Sequence, residues 1–233
     1  SRVNSSEVNL ITVEDPVEYQ IPGINQVQVN DKIGLTFAAA LRSILRQDPD
    51  IVMIGEARDT ETIQIAVQAS LTGHLVFSTI HTNSAPATIT RLLDMGIEPF
   101  LIASSVTAIL AQRLVRKLCD ACKETYTPTP SALESIGIKP EAAQKIVFYK
   151  AVGCPKCMDS GYAGRIPIFE IMVISPAIAQ LIVQRADALR VKQQALKDGM
   201  TLLVHDGIAK IELGLTTIEE VLSVASSQEE IGY

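Results

Sequence analysis

Two groups of residues have types and spacings that could do chemistry. The first is sulfur. Cys119-x-x-Cys122 and Cys154-x-x-Cys157 hold all the cysteines of the chain and are separated by residues 123–153. Four thiolates in two such pairs suit tetrahedral Zn²⁺, an ion with no redox chemistry of its own. The gap is longer than in a short zinc ribbon, so a metal would close a sizeable loop. A thioredoxin-like redox pair is the rival reading, but neither pair opens a helix after a strand. Free structural thiols are the plain alternative.

The second group is acid and imidazole. Glu14 and Asp15 follow the apolar run NLITV, Glu56 follows IVMI at 51–54, and His81 follows the run 75–80. A carboxylate just past a buried strand can hold Mg²⁺, directly or through water, or orient an attacking water. Each alone is easily structural: an acid opening a turn, or a histidine satisfied within one. In a parallel sheet, the carboxyl ends of successive strands share one edge, and the three would converge there. Arg42 and Arg46 stand at i, i+4. They fit phosphate contact, and equally a solvated face with Arg46 pairing Asp48 or Asp50 for well under ~1 kcal/mol.

The elements that must position these groups read as follows. Ile51 to Ile54 is a short apolar run between Asp48-Pro49 and Gly55-Glu56, as expected of a strand buried on both faces. Asn9–Val13 and 75–80 are further strands, with a weak one at Val27–Val29. Thr36 opens a helix whose apolar Phe37, Ala40, Leu41, Ile44 and Leu45 share a face. Asp59 or Thr60 caps a helix to about Leu71 that Gly73 ends. Ser84 caps another, with Pro86 in its first turn and Gly96 closing it. Ala103, Val106, Leu110 and Leu114 predict one more helix over 100–118. Strand and helix alternate throughout, which favours a parallel sheet covered by helices. At Cys119 the composition turns rich in Cys, Pro, Gly and Lys. Helical patterns return from Ser175-Pro176. Thr216 with Glu219 reads as a capping box for a last helix to about Ala225. The polar tail 226–233 reads as frayed.

Composition bounds the rest. The chain has 233 residues, 47% of them hydrophobic, so one large or two smaller cores are available. With no Trp and only 4% aromatics, those cores must be aliphatic. A net charge of −6 is a poor footprint for a nucleic-acid binder. Arg113, Arg116, Lys117 and Lys123 flank the first cysteine pair and read as a solvated face, with a membrane-surface contact as the functional alternative. No run approaches the roughly 18 apolar residues of a bilayer span. The polar start, Ser1 to Ser6, is no signal peptide. The sequence therefore reads as cytoplasmic.

The stretches ITVEDPVEYQ, DPDIVMIGEARD and GHLVFSTIHTN resemble the Asp box, Walker B segment and His box of the type II secretion and type IV pilus assembly ATPases. LRSILRQDPD, AQRLVRKLC, GCPKC and GLTTIEEVL continue the likeness in the same order. The resemblance implies a RecA-like α/β domain with helices on both faces of a parallel sheet, hydrolysing ATP between subunits of a homo-hexamer. By position, Glu56 would be the Walker B glutamate helping to hold Mg²⁺, and Glu14 the Asp-box carboxylate polarising the attacking water. His81 would contact the γ-phosphate. Arg42 and Arg46 match basic positions near the nucleotide or a subunit interface. The tetracysteine common in this family supports Zn²⁺ on Cys119, Cys122, Cys154 and Cys157.

Two departures stand out. Ala39 occupies a place where many secretion-type relatives carry Arg. No G-x-x-x-x-G-K-[ST] phosphate loop occurs in the 233 residues. In relatives it precedes the Asp box, so the chain is expected to be the C-terminal part of a longer protein and to be inactive alone. The expected division is 1–118 as a partial ATPase core, 119–165 as the metal module and 166–233 as a mainly helical region. The expected function is a cytoplasmic motor ATPase, peripheral to the inner membrane, driving pseudopilus or pilus assembly and secretion through an inner-membrane platform or docking partner. QASLTGHLV is closer to the secretion type and TFAAALR to the pilus type. The alternatives are a DNA-translocating RecA-like ATPase and a non-enzymatic zinc-stabilised docking module.

Overall fold

The computed structural model describes residues 3–225. By density of contacts they form two units, residues up to 109 with 173–195, and residues 110–172 with those from 196 on.

The first unit is built on a four-stranded sheet. Its strands are β1 (Leu10–Glu14), β2 (Asn25–Gln28), β3 (Ile51–Ile54) and β4 (Leu75–Ser78), in the order β2-β1-β3-β4. Every pairing is parallel, so all four carboxyl ends lie along one edge. Helix α1 (Phe37–Ile44) starts at Thr36, whose side chain accepts the Ala39 N–H. Its Ala40, Leu41 and Ile44 cover Ile11 and Val13 of β1 and Val52 and Ile54 of β3, together with Ile65 and Ala66. The latter two belong to α2 (Thr60–Leu71), which Asp59 caps. Helices α3 (Ala85–Asp94, capped by Ser84) and α4 (Pro99–Ser105) follow. Helix α4 packs against α2 and against α7 (Pro176–Val183). A Cβ on Gly55 would lie 3.2 Å from the Val13 carbonyl oxygen and 3.3 Å from the Glu14 Cα. Glycine there lets the ends of β1 and β3 approach.

One element differs from its sequence reading. The stretch 100–118 is not one helix. It is α4 followed by β5 (Ala108–Leu118), paired with β8 (Tyr162–Val173). Residues four apart share a face in a helix and equally in a strand, so Leu110/Leu114 and Ala111/Val115 fit both periods. In the strand Ala111, Val115 and Leu118 are buried, while Leu110 and Leu114 face solvent.

Most of β5 and β8 lies in the second unit. The unit also holds the antiparallel pair β6 (Glu124–Tyr126) and β7 (Phe148–Lys150), with short helices α5 (Pro130–Ser135) and α6 (Pro140–Ala143) between them. Helix α8 (Ala188–Lys197) crosses the division of the chain, and α9 (Leu203–Glu212) and α10 (Ile218–Ala225) follow it. The cap of α10 is Thr217, whose hydroxyl accepts the Glu220 N–H at 3.3 Å. Thr216 instead donates to the Arg116 carbonyl at 2.9 Å, so the cap stands one residue later than expected, and the Glu220 carboxylate is engaged by Arg116 instead of closing a capping box. The tail 226–233 lies outside the described residues.

Arg116 is a structural tie rather than a solvated face. It donates through Nε and Nη2 to Glu220 Oε1 at 2.9 and 2.6 Å, and its backbone N–H reaches Oε2 at 2.9 Å. Its guanidinium also stacks 4.0 Å over the Tyr162 ring. Lys117 and Lys123 both pair with Asp120. Burial alone would raise the Glu220 carboxyl, but the Arg116 bonds outweigh it and hold it below its ordinary 4.5. A carboxyl depressed by folding stabilises above its unfolded value, and that stability is lost as pH falls through the folded one. The urea midpoint of this unit should therefore drop on acidification below about pH 4.5. Glu220→Gln should start lower and show a flatter acid limb. An acid limb identical to the parent's would remove Glu220 from the cause.

Candidate active site and metal centre

The carboxyl edge of the sheet gathers the acids and the imidazole. Glu14 is the last residue of β1 rather than the start of a turn. Val13 pairs with Ile54, which sets Glu14 level with Gly55 at the end of β3. Glu56 follows, its side chain 16% exposed. His81, past β4, presents Nε2 to Glu56 Oε2 at 3.6 Å. The turns are laced together. The Ala57 N–H donates to the Thr79 carbonyl at 3.0 Å, and the Thr79 hydroxyl donates to the Gly55 carbonyl. Glu56 and His81 are thus in contact, with Glu14 on the neighbouring strand end.

Sequence reasoning missed Arg58, whose Nη2 lies 2.7 Å from Glu56 Oε2. It is part of the GEARD run, but nothing in the run says that residue 58 turns back on residue 56. The polar side chains that hold Glu14 were also missed. Thr12 Oγ1 and Gln26 Nε2 both donate to Glu14 Oε1, the latter at 2.9 Å. Alternation along a strand could have found Thr12, two residues before Glu14 on the same face.

The arginines lie elsewhere. Helix α1 packs on the odd-numbered face of β1, whereas Glu14 belongs to the even-numbered face. The helix returns from the carboxyl edge toward the start of β3, and Arg46 lies past its end, in the 3₁₀ turn Leu45–Gln47, so the two arginines do not share one α-helix. Arg42 pairs with Glu61 in the first turn of α2. Neither Asp48 nor Asp50 pairs with Arg46 among the described residues, and Asp50 instead accepts the Asn9 N–H at 2.7 Å.

The four cysteines converge. Cys119–Cys154, Cys122–Cys157 and Cys154–Cys157 stand 3.9, 3.8 and 3.8 Å apart, sulfur to sulfur. All four sulfurs lie within 4.8 Å of one another. A tetrahedral Zn–S bond of about 2.3 Å implies an S···S edge of about 3.8 Å, so the donor set fits that ion. A covalent disulfide needs about 2.05 Å. Backbone N–H groups of Cys154 and Gly161 each donate to Cys157 Sγ at 3.2 Å. Burial would raise the Cys157 thiol, but these bonds and the neighbouring thiols bring it down to about 6. Burial and the other three thiols push Cys122 up to about 12, against the N–H of Gly153. Gly161 is required here: its φ is +75°, and a Cβ would meet the Ala151 Cβ at 2.6 Å.

Glu14, Glu56 and His81 thus lie at the carboxyl ends of parallel strands, the edge where open α/β sheets bind their ligands. Comparison with known proteins shows the family. Residues 1–223 match the family model described as type II/IV secretion system protein, and the chain belongs to that family. It is 52% identical over 223 residues to the type IV pilus assembly ATPase PilB of Myxococcus xanthus, covering 95% of this chain and 39% of that protein. It is 50% identical over 222 residues to the type II secretion system ATPase E of Vibrio cholerae, covering 95% of this chain and 44% of that protein. The chain thus spans less than half the length of either relative. Among solved structures it resembles the pilus retraction motor PilT with bound ADP, with a TM-score of 0.65 and 28% identity over 96% of this chain and 54% of that one. Among the described residues no helix is long and apolar enough to cross a membrane.

Proposed function

We propose that the whole protein is a motor ATPase of type II secretion or type IV pilus assembly, and that residues 1–118 are part of its RecA-like nucleotide-handling core. The observation that carries this reading is the Glu56–His81 contact at 3.6 Å on the edge that Glu14 shares. Glu14 polarises the attacking water, Glu56 is a ligand for Mg²⁺, and His81 contacts the γ-phosphate. Mg²⁺ bound there would neutralise phosphate charge. Arg42 and Arg46, carried away from this edge, serve a neighbouring subunit's nucleotide in a homo-hexamer. Leu75 and Phe77 of the edge strand β4 are 49% and 48% exposed, which leaves an apolar face, beside an unpaired strand edge, where the rest of the core and its phosphate loop can add.

Residues 119–165 form the metal module, in which Cys119, Cys122, Cys154 and Cys157 would hold Zn²⁺ as a structural ion. Residues 166–233 are a mainly helical region. The motor works in the cytoplasm against an inner-membrane platform or docking partner, with no nucleic acid involved. Full-length protein should hydrolyse ATP, whereas residues 1–233 alone should bind it poorly and turn over none. Turnover by the isolated 1–233 chain at the full-length rate would reject the reading, because that chain has no phosphate loop.

A further inference from the structure

The Glu14 carboxylate is held in a particular way. Thr12, 2% exposed, stands on the same face two residues earlier, and its hydroxyl donates to Glu14 Oε1. Gln26 sits beside Thr12 on the paired strand β2. Its Nε2 donates to the same oxygen at 2.9 Å and to the Tyr19 carbonyl at 3.0 Å. Its Oε1 accepts the Ile21 N–H at 2.8 Å. That last bond fixes which end of the amide is which. An Oε1 facing the backbone N–H leaves the NH₂ group no choice but to face the carboxylate. Both lone-pair positions of Glu14 Oε1 are then filled, and Oε2 is the oxygen left to meet a water or substrate.

We infer that Gln26 is a positioning residue for Glu14: with Thr12 it saturates Oε1, fixes the carboxylate's rotation, and leaves Oε2 as the reacting oxygen. This rests on the role given to Glu14 above. Gln26 also staples the exposed 19–21 segment to the same carboxylate, so the loop and the site share one amide. Holding a reacting group within a fraction of an ångström is where such a residue acts, and a small misplacement can cost about 10²-fold in rate.

The test is a double-mutant cycle in the full-length protein, using Gln26→Leu and Glu14→Ala with ATP as the probe. Gln26→Leu should lower kcat about 10–100-fold with nucleotide affinity unchanged. Added to Glu14→Ala it should lower kcat no further, because there is no carboxylate left to orient. A purely structural role would give the same fold-loss in both backgrounds, and that result overturns the inference. Full turnover by Gln26→Leu beside an inactive Glu14→Ala would also overturn it, while leaving the role of Glu14 intact. Full turnover by Glu14→Ala would remove that role and the inference together. If Gln26→Leu fails to fold, the near-isosteric Thr12→Val takes its place in the same cycle, with the same loss expected and the same results overturning it.

Discussion

Glu56→Gln in the full-length protein should cut ATP turnover by about 10²–10⁴-fold while leaving ATP binding largely intact. Glutamine keeps the size and one acceptor but loses the charge, and charge is what a ligand for Mg²⁺ must supply. The proposed role gives that task to Glu56. Its side chain is 16% exposed, and Arg58 and His81 both reach Oε2. The other oxygen has no partner among the described residues. Glu14→Gln should give a loss of similar size by a different route, since an amide is a poor acceptor for a proton from water. Steady-state turnover beside binding of a fluorescent ATP analogue separates the two effects. Wild-type turnover in both variants would leave the strand edge without a catalytic role. A rise in the KM for ATP at unchanged kcat would mean that the acids bind substrate without acting on it.

The strands that build this edge were legible because their signals are local and redundant. Ile51–Ile54 is an apolar run between breakers, and the helix starts at Thr36, Asp59 and Ser84 carry their own caps. The parallel order followed from strand and helix alternating. The stretch 100–118 was illegible for a physical reason: spacing by four does not separate helix from strand, and only the partner strand β8, some fifty residues on, breaks the tie. The cap of α10 failed similarly. Thr216 and Thr217 are adjacent candidates, and the choice is made by the Arg116 carbonyl, which lies far away in sequence. At the site, Glu14, Glu56 and His81 stood out because each follows a strand. Arg58 and Gln26 did not, because their work is to face another side chain. Arg42 and Arg46 show the limit of spacing. It placed them on one helix, whereas Arg46 falls in the 3₁₀ turn after α1, and it could not say which face of the sheet that helix covers.

Cys154→Ser should release the metal and loosen the second unit, a larger structural effect than any single core substitution there. In small modules structural Zn²⁺ contributes on the order of 10 kcal/mol to folding, several times the cost of a buried large-to-small change. The module has little else to replace it with. Between the cysteine pairs run two three-residue strands and helices of six and four residues. Every sulfur sits within 4.8 Å of the others. Four thiols that close can be fully ionised together only around a cation, and removing one ligand leaves three charges sharing a weaker site. Elemental analysis should give about one zinc per parent chain and far less in the variant. Amide exchange in residues 119–161 should speed up, while exchange in β1 and β3 stays as it was. Cys154→His, which keeps a zinc ligand, should retain metal and protection better than serine does. Unchanged zinc content in Cys154→Ser, with unchanged exchange, would mean that the sulfurs pack without a metal and that the unit stands on the Arg116–Glu220 tie and its aliphatic core.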